Sequence, residues 1–509
     1  MRFIRLVAFT SGLVVLGIEI TSFRIVAPYF GNSIFVTSNI LGVILAGLAV
    51  GYWSGGWLAD KLRAARPLFL LMLLTACVCA LIPFVAPSLL SFLRDHISTV
   101  DWRLIVFSLL GCFVLFFIPF VLLGMVSPWL VHLGTDQHQH RGKAAGRIYA
   151  WSTIGSLLGT FLPTLLLVPL IGTKKTILSF AALLALLSVV GLARSGAKRV
   201  LGPGLVALVL AGAGLLVSPT LSRGADEVVA ERESRLEYLR VVRDHDQQVH
   251  LEQDEGLGIH SVYDPHVITT GLVFDWLAAS PELRPTTARA RTDLSVGIVG
   301  LAGGTVAREV EALYGPKSVK PHQLTQAGAE LDPATLDLAR QYFGLGELQT
   351  LTSTPADGRV WLNAQSGPFD VLVVDAFRQL YIPPHLSTQE FFELAKSKLA
   401  ADGILAVNLN VVGENSHVQQ TLATTIASVF PNVLALPVPS SYNVVLYASS
   451  APLVKPDPTQ APIELRSAVE SIATLATPVL PEPGLAPATD DRPLVESWYD
   501  LMVGQAFVQ

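Results

Sequence analysis

The sequence predicts two unlike halves: an α-helical multi-pass membrane bundle, then a doubly wound α/β sheet preceded by a small β-rich subdomain. Of the 509 residues, 51% are hydrophobic and only 15% are charged, whereas globular soluble domains average about 25% charged residues. Apolar segments crowd positions 1–218. From Asp293 onward, strand-like and helix-like segments alternate, which is typical of a parallel sheet.

Seven apolar segments are long enough to cross a bilayer as helices, which takes roughly 20 residues each. The first segment carries Glu19 and Arg24 and is followed by further spans, so it is not a signal peptide. The predicted spans are 6–29, 34–58, 67–90, 104–133, 148–171, 177–193 and 200–218.

Basic residues predict the orientation of this bundle in a cell inner (plasma) membrane. Lys and Arg cluster in alternate loops, beginning with Arg2 and Arg5, and positively charged loops stay cytoplasmic. The N-terminus is therefore predicted to be cytoplasmic. Seven spans then place everything after Ser218 on the outside. If the glycine-rich segment 200–218 is miscounted as a span, the C-terminal domain is cytoplasmic instead, so its side stays open.

Some residues inside the spans leave two interpretations open. Gly47, Gly51 and Gly55 form a four-residue repeat that lets another helix approach closely. That helix belongs either to the same subunit or to a dimer seam or moving gate. Glu19 and Arg24 are costly at membrane depth, so they either make structural pairs or line a substrate path.

Charge and cysteine content exclude several classes of protein. The net charge of -5 gives no basic signature for nucleic acid. Cys77, Cys79 and Cys112 all lie in apolar runs, which predicts core thiols rather than a disulfide framework or a zinc site. We therefore expect no metal.

Composition also predicts the domain boundaries. Residues 1–218 form the membrane domain, and the abruptly polar residues 219–235 are predicted to be a linker. Residues 236–290 are rich in β-formers and turn residues and predict a small antiparallel sheet. Residues 291–509 are predicted to form the doubly wound domain.

The elements of that domain follow in order. A first strand at 295–299, a glycine turn at 300–304 and a helix at 305–314 lead to a second strand ending in "GAELDP" and a helix at 334–342. A third strand near 348–352, a fourth in "FDVLVVDAF" and a helix near 388–399 precede "GILAVNLN". "NVLALPVP" and "NVVLYASS" then form a hairpin, which suits the methyltransferase-like (Rossmann-like) variant of the fold.

The glycine turn and two acids predict an adenosyl site. The turn, with Gly300, Gly303 and Gly304, breaks the G-x-G-x-x-G spacing that a dinucleotide pyrophosphate requires. Glu330 ends the second strand, where it can accept both ribose hydroxyls, and Asp357 after the third strand can contact an adenine amine. The set suits an adenosine that carries a sulfonium, although a strand-end acid can also be a simple helix cap.

Residues 236–450 resemble spermidine synthases, and the whole chain resembles bacterial membrane-fused spermidine synthase-like proteins. The matching pieces, in order, are "LRVVRD", "EGLGIHSVYDP", the glycine turn, "AELDP", "ADG", "FDVLVVDAF", "IPPHLSTQEFF", "LAADGILAVNLN" and "ATDDRP". The resemblance implies transfer of an aminopropyl group from decarboxylated S-adenosylmethionine to a small amine or polyamine. Soluble relatives commonly pair, which implies a homodimer.

The same resemblance implies the roles of individual residues. Asp375 would be the catalytic proton acceptor, Glu330 would hold the ribose, and Asp357 with Gly358 would line the adenine side. The substrate pocket would include Tyr263, Arg378, Pro383 and Pro384.

The chain departs from the family pattern at residues that normally hold the polyamine. Gly303 stands where the family has an aspartate inside the glycine turn, and Arg378 stands where it has a second aspartate after the catalytic one. Glu237 stands where a glutamine normally faces the cofactor. Two lost carboxylates and a gained guanidinium argue against an ordinary diamine as acceptor.

Three functions therefore remain open from the sequence. The first is a membrane-anchored aminopropyltransferase. The second is an S-adenosylmethionine-dependent methyltransferase of a lipid or other membrane-borne substrate. The third is a non-catalytic sensing or scaffold domain on a transporter-like membrane half.

Overall fold

The computed structural model describes residues 2–30, 34–94, 102–135, 141–195, 227–234, 236–253, 259–319, 321–376, 383–410, 417–482 and 484–492. These residues fall into two compact units, a helical unit and a unit that contains both sheets.

The helical unit consists of long apolar helices with local irregularities. Two π-helical turns, Phe113–Phe117 and Pro163–Leu167, interrupt regular hydrogen bonding. The first ends two residues before Pro119 and the second begins with Pro163, and proline has no N–H to donate. The helices are α1 (Arg2–Phe30), α2 (Ile34–Leu62), α3 (Ala65–Arg94), α4 (Trp102–Cys112), α5 (Ile118–Gly124), α6 (Val126–Thr135), α7 (Arg141–Leu162) and α8 (Val168–Arg194).

Within the described residues, five helical stretches have the length and apolar character of membrane spans. The first four each correspond to one predicted span, and their starts and ends differ from it by a few residues. The fifth, Gly142–Arg194, contains both the fifth and the sixth predicted spans. Its backbone leaves helical geometry at Gly172, where φ is 81° and ψ is 162°, so the two spans are separated by a break rather than a loop. The predicted span 200–218 lies outside the described residues.

The glycine repeat of α2 is a helix-packing surface within the chain. A Cβ added to Gly51 would lie 2.3 Å from the carbonyl oxygen of Val121, and one added to Gly55 would lie 2.5 Å from the Cα of Met125. The packing interpretation of this repeat is therefore confirmed. The cysteines are free thiols, and Cys79 and Cys112 are buried, as the core-thiol prediction requires.

The second unit begins with a four-stranded sheet in the order β1-β2-β3-β4. Its strands are β1 (Glu227–Glu233), β2 (Tyr238–Arg243), β3 (Val249–Gln253) and β4 (Ile259–Tyr263). The linker prediction is wrong for residues 227–233, because an edge strand tolerates the charged residues that suggested a linker. Residues 264–290 are also not β-rich, since they contain α9 (Val273–Ala278) and α10 (Thr286–Arg289).

The larger sheet contains eight strands among the described residues, with helices between them. The strands are β5 (Asp293–Val299), β6 (Gln323–Glu330), β7 (Leu351–Pro355), β8 (Phe369–Val374), β9 (Leu399–Asn410), β10 (Asn432–Pro437), β11 (Asn443–Ser449) and β12 (Thr477–Pro478). The helices are α11 (Thr305–Tyr314), α12 (Pro333–Tyr342), α13 (Gly358–Ala364), α14 (Gln389–Ser397), α15 (His417–Val429) and α16 (Arg466–Leu475).

The strand order confirms the predicted methyltransferase-like fold. The order is β12-β10-β11-β9-β8-β5-β6-β7, in which β5 to β9 are parallel and β11 is antiparallel to both of its neighbours. The predicted hairpin forms from β10 and β11. The third strand starts three residues later than predicted, after a 3-10 turn at Leu345–Glu347. The strand order reverses at β5, so ligands are expected at the carboxyl ends of β5 and β8.

Candidate active site

Three predicted site residues lie in register at the carboxyl ends of three adjacent parallel strands. Val299 of β5 pairs with Ala329 of β6 and with Val374 of β8. The next residues along the three strands are Gly300, Glu330 and Asp375. With β5 between them, β6 and β8 lie about 10 Å apart, which leaves room for a sugar and its substituent between the two acids.

The glycine turn uses its own backbone donors to fix its shape. Gly300 and Leu301 donate their N–H groups to the carbonyl of Ala329, both at 3.0 Å, and Gly304 donates to Leu301 at 2.7 Å. Gly300 and Gly304 have φ values of 91° and 87°, which favour glycine. A Cβ at Gly300 would also lie 2.4 Å from the carbonyl oxygen of Asp375, so the turn packs directly on the end of β8.

Glu330 is buried beneath this turn and is hydrogen-bonded on both oxygens. Its Oε2 accepts from the N–H of Ala302 at 2.9 Å and its Oε1 from the N–H of Asp332 at 3.1 Å. Ala302 has a positive φ of 44°, a conformation that costs a residue with a Cβ about 1–2 kcal/mol. Burial raises the pKa of Glu330, and the backbone donors partly offset this effect. The carboxylate therefore helps to hold the strained turn.

Gly303 is held by the small sheet. Its N–H donates to Ser261 Oγ of β4 at 2.7 Å, and Thr305 Oγ1 exchanges hydrogen bonds with the backbone of Val262. A Cβ at Gly303 would lie 2.6 Å from the Cβ of Ser261. The space that an aspartate would need is therefore filled. Every N–H from Gly300 to Gly304 is now accounted for, so these residues offer no free donor to a pyrophosphate.

Asp357 is the N-cap of α13. Its Oδ1 accepts from the N–H groups of Arg359 and Val360, both at 3.0 Å, and its Oδ2 lies 2.8 Å from Nε2 of His385. Burial acts to raise the pKa of Asp357, but the N–H of Val360 and His385 outweigh it and hold the pKa below its ordinary value. A Cβ at Gly358 would meet Val299 at 2.4 Å, so α13 begins directly against β5. His385 was not predicted from the sequence.

Asp375 is a partly buried carboxyl group that follows β8. Its backbone N–H donates to Val299 at 2.8 Å, and its Oδ1 accepts from Nδ2 of Asn408 at 2.8 Å. Burial raises the pKa of Asp375 to about 6, against an opposing effect of the Asn408 hydrogen bond. This carboxylate is thus a stronger base than a solvated aspartate and is still ionised at neutral pH.

The chain is similar in sequence to known polyamine aminopropyltransferases. No family model matches the chain. A probable polyamine aminopropyl transferase from Bifidobacterium longum is 34% identical over 221 residues, which cover 43% of this chain and 46% of that protein. The polyamine aminopropyltransferase of Vibrio vulnificus is 32% identical over 114 residues, covering 22% and 36%. The chain carries a spermidine synthase-like domain.

More distant similarities accompany these relatives. The mouse eEF1A lysine and N-terminal methyltransferase is 25% identical over 171 residues, covering 32% of this chain and 23% of that protein. A crystal structure of a probable spermidine synthase from Corynebacterium glutamicum aligns with 52% of this chain and 97% of its own, at 17% identity and a TM-score of 0.39. The chain spans less than half the length of the two aminopropyltransferases named above.

The predicted pocket residues of the spermidine synthase-like domain are not all placed together by the structure. Tyr263 packs against Gly344, whose added Cβ would lie 3.1 Å from the ring, and the Arg308 guanidinium lies 5.3 Å from the ring centre. Pro383 and Pro384 begin the short 3-10 turn that carries His385. Arg378 lies outside the described residues.

The "ATDDRP" segment of the spermidine synthase-like domain fastens α13. Asp490 accepts two hydrogen bonds from the Arg359 guanidinium, both at 2.7 Å, and one from Thr388 Oγ1 at 2.7 Å. Arg359 also donates to the carbonyl of His385 at 3.1 Å. Asp490 therefore links the C-terminal segment to α13 and to the 3-10 turn that carries His385. The sequence analysis did not predict this role.

A cavity of about 230 Å³ in the spermidine synthase-like domain contains none of the predicted site residues. It lies near the amino end of β5, where Leu294, Arg284, Arg289 and His322 line it. Buried Arg284 is paired with Asp370. We read this cavity as part of the structural ion-pair network rather than as the reaction site.

Proposed function

We propose that the chain is a membrane-anchored aminopropyltransferase. It would move an aminopropyl group from decarboxylated S-adenosylmethionine to a small amine or polyamine. The observation that carries the proposal is the partly buried carboxylate of Asp375, with its pKa raised to about 6, level with Glu330 across the glycine turn. The similarity to the probable polyamine aminopropyl transferase of Bifidobacterium longum supports the same reaction.

The residues present suit an adenosyl donor without phosphates. Glu330 retains lone pairs on both oxygens and would accept from the two ribose hydroxyls. Asp357 and Gly358 would line the adenine side. The internally bonded glycine turn favours a ligand that brings no phosphate charge to residues 300–304.

Asp375 would receive the proton that the attacking amine must lose. When bound, the donor supplies a carbon activated by a sulfonium. The amine nitrogen bonds to that carbon, the carbon–sulfur bond breaks to leave a neutral thioether, and the amine proton passes to Asp375. An alkylammonium has a pKa near 10, about six units above an ordinary carboxyl. The raised pKa of Asp375 narrows the gap by about two units, which lowers the cost of proton transfer by about 3 kcal/mol.

The acceptor would differ from the diamine of soluble spermidine synthases. Gly303 leaves no carboxylate in the turn, and Ser261 fills the space beside it. A polyamine needs carboxylates to replace the water around each of its charges. We therefore propose an acceptor amine with fewer charged nitrogens near the turn.

The helical unit would anchor the enzyme in the inner (plasma) membrane. With the break at Gly172, the described helices would supply six crossings, and residues 200–218 would supply a seventh. Six crossings would leave the spermidine synthase-like domain on the cytoplasmic side, and seven would place it outside. A C-terminal reporter fusion that works only in the cytoplasm or only outside decides between them.

The reaction can be tested with the full chain purified in detergent. Decarboxylated S-adenosylmethionine is offered with a panel of amines, and methylthioadenosine and alkylated products are measured by mass spectrometry. Asp375→Asn should lower turnover about 10²- to 10⁴-fold, the usual contribution of a general base, while methylthioadenosine binding persists.

Other outcomes would replace the proposal. Transfer of a methyl group from S-adenosylmethionine would favour the methyltransferase alternative, to which the similarity with the mouse methyltransferase gives some support. Absence of any adenosyl binding in calorimetry would favour a non-catalytic domain.

A further inference from the structure

Asn408 is a buried polar residue near the end of β9, directly after an apolar run. Its side chain is 4% exposed, and the residues before it, Leu405 to Val407, are all buried. Both functional groups of its amide are used. Nδ2 donates to Asp375 Oδ1 at 2.8 Å, and Oδ1 accepts from Nδ2 of Asn443 at 2.9 Å.

Asn443 fixes which way the Asn408 amide faces. Asn443 begins β11, beside the end of β9, and its Oδ1 accepts from Ser441 Oγ at 2.6 Å. Ser441 Oγ also accepts from the backbone N–H of Asn443 at 3.1 Å. With its oxygen turned to Ser441, Asn443 presents its NH₂ group to Asn408. Asn408 must then present its own NH₂ group to Asp375.

This arrangement treats the two oxygens of Asp375 differently. Oδ1 is occupied by Asn408, whereas no described residue donates a hydrogen bond to Oδ2. A hydrogen bond of this kind also favours the ionised carboxylate. It therefore opposes the effect of burial, which favours the protonated form of Asp375.

We propose that Asn408, oriented by Asn443, is a positioning residue that leaves one oxygen of Asp375 to receive the acceptor amine's proton. The inference rests on the proposed aminopropyl transfer. It assigns no contact with substrate to either asparagine. Their effect on the reaction would pass entirely through the Asp375 carboxylate.

The test compares three asparagine-to-leucine variants of the full chain in detergent. Asn408→Leu removes the donor, and Asn443→Leu removes the group that orients it. Asn432→Leu is the matched control, because Asn432 lies in the same sheet but bonds weakly to the carbonyls of Ser449 and Ser450 at 3.4 Å.

For Asn408→Leu, kcat should fall about 10- to 100-fold, as expected when a charged group loses one hydrogen bond. The acidic limb of its pH profile should also move to higher pH, because the donor that favours the ionised carboxylate is gone. Asn443→Leu should shift the limb in the same direction by a smaller amount. If kcat falls but the acidic limb of the pH profile stays in place in both variants, the asparagines have a merely structural role and the proposal is overturned.

A second measurement does not depend on turnover. Carbodiimide labelling of Asp375, followed by mass spectrometry across pH, reports the protonation of this carboxyl group directly. The labelling midpoint should rise in Asn408→Leu and stay unchanged in Asn432→Leu. If transfer is never detected but the midpoint moves, the proposed function fails, although Asn408 still controls the protonation of Asp375. If the midpoint does not move, the positioning role fails.

Discussion

The raised pKa of Asp375 predicts that removing its charge stabilises the protein in a pH-dependent way. Asp375→Asn keeps the side-chain shape and an oxygen that can accept the Asn408 N–H. The wild-type pKa rises from an ordinary 3.8 to about 6 because burial disfavours the charged form. A difference of about two units corresponds to at most about 3 kcal/mol.

The sign follows from proton binding. Folded Asp375 binds its proton more tightly than the unfolded chain does, so wild-type stability falls as the pH rises from about 4 to about 6. Above about pH 6, the folded protein carries the full free-energy cost of burying the ionised Asp375 carboxylate. The amide of the Asp375→Asn variant carries no charge and avoids this cost, so the variant should be more stable at pH 7–8 and equally stable near pH 4.

Thermal unfolding of the full chain in detergent between pH 4.5 and 8 measures this difference. A gain of about 3 kcal/mol would raise Tm by about 5 °C or more at pH 8. Asp246→Asn, at an exposed acid in the β2–β3 turn, is the matched control and should show no such trend. A Tm difference for Asp375→Asn that is the same at every pH, or a loss of stability at pH 8, would refute the reasoning.

Three further substitutions test the rest of the site. In Glu330→Gln, the amide NH₂ group faces a backbone N–H donor with which it cannot form a hydrogen bond. Methylthioadenosine affinity should therefore fall at least about 10-fold, and the free energy of unfolding should fall by about 1–3 kcal/mol. Gly303→Asp should cost about 1–3 kcal/mol in denaturant unfolding, because its Cβ overlaps Ser261, and adding Ser261→Gly should recover part of that loss. Asp490→Asn breaks the two-bond pair with Arg359. It should lower global stability by less than about 1 kcal/mol but speed hydrogen exchange in α13.

These predictions carry their own controls. Glu347→Gln changes an exposed carboxylate of the same unit and should leave nucleoside affinity unchanged. Wild-type affinity in Glu330→Gln would remove Glu330 from the ligand site. Full stability of Gly303→Asp alone would mean that Ser261 does not fill the space, and unchanged exchange in Asp490→Asn would mean that the C-terminal segment does not hold α13.

Local patterns in the sequence predicted the parallel sheet well. The helix at 305–314 and the β10–β11 hairpin form where predicted, because glycine turns and apolar periodicity are local signals. The acids at the ends of β6 and β8 were also placed correctly, since strands in one parallel sheet end along one edge.

Long-range partners could not be predicted in this way. Asn408 meets Asp375 across 33 positions and Asn443 across 35, and sequence spacing carries no signal for such contacts. The one local indication of a role for Asn408 was its position directly after the apolar residues of "LAVNLN". The separation of the fifth and sixth predicted spans falls at Gly172, as expected. Its form, a break at one residue rather than a loop, was not predicted, because a glycine with positive φ and a glycine inside a helix look alike in sequence.

The attachment of the glycine turn to β4 decides where the chain can be shortened. A soluble fragment starting at Asp293 would remove the partners of Gly303 and Thr305. The glycine turn at 300–304 would then keep its hydrogen bonds to β6 but lose the one to β4. Any trimmed form intended for crystallisation or screening should therefore keep the strands from Glu227 onward, because β4 supports the glycine turn.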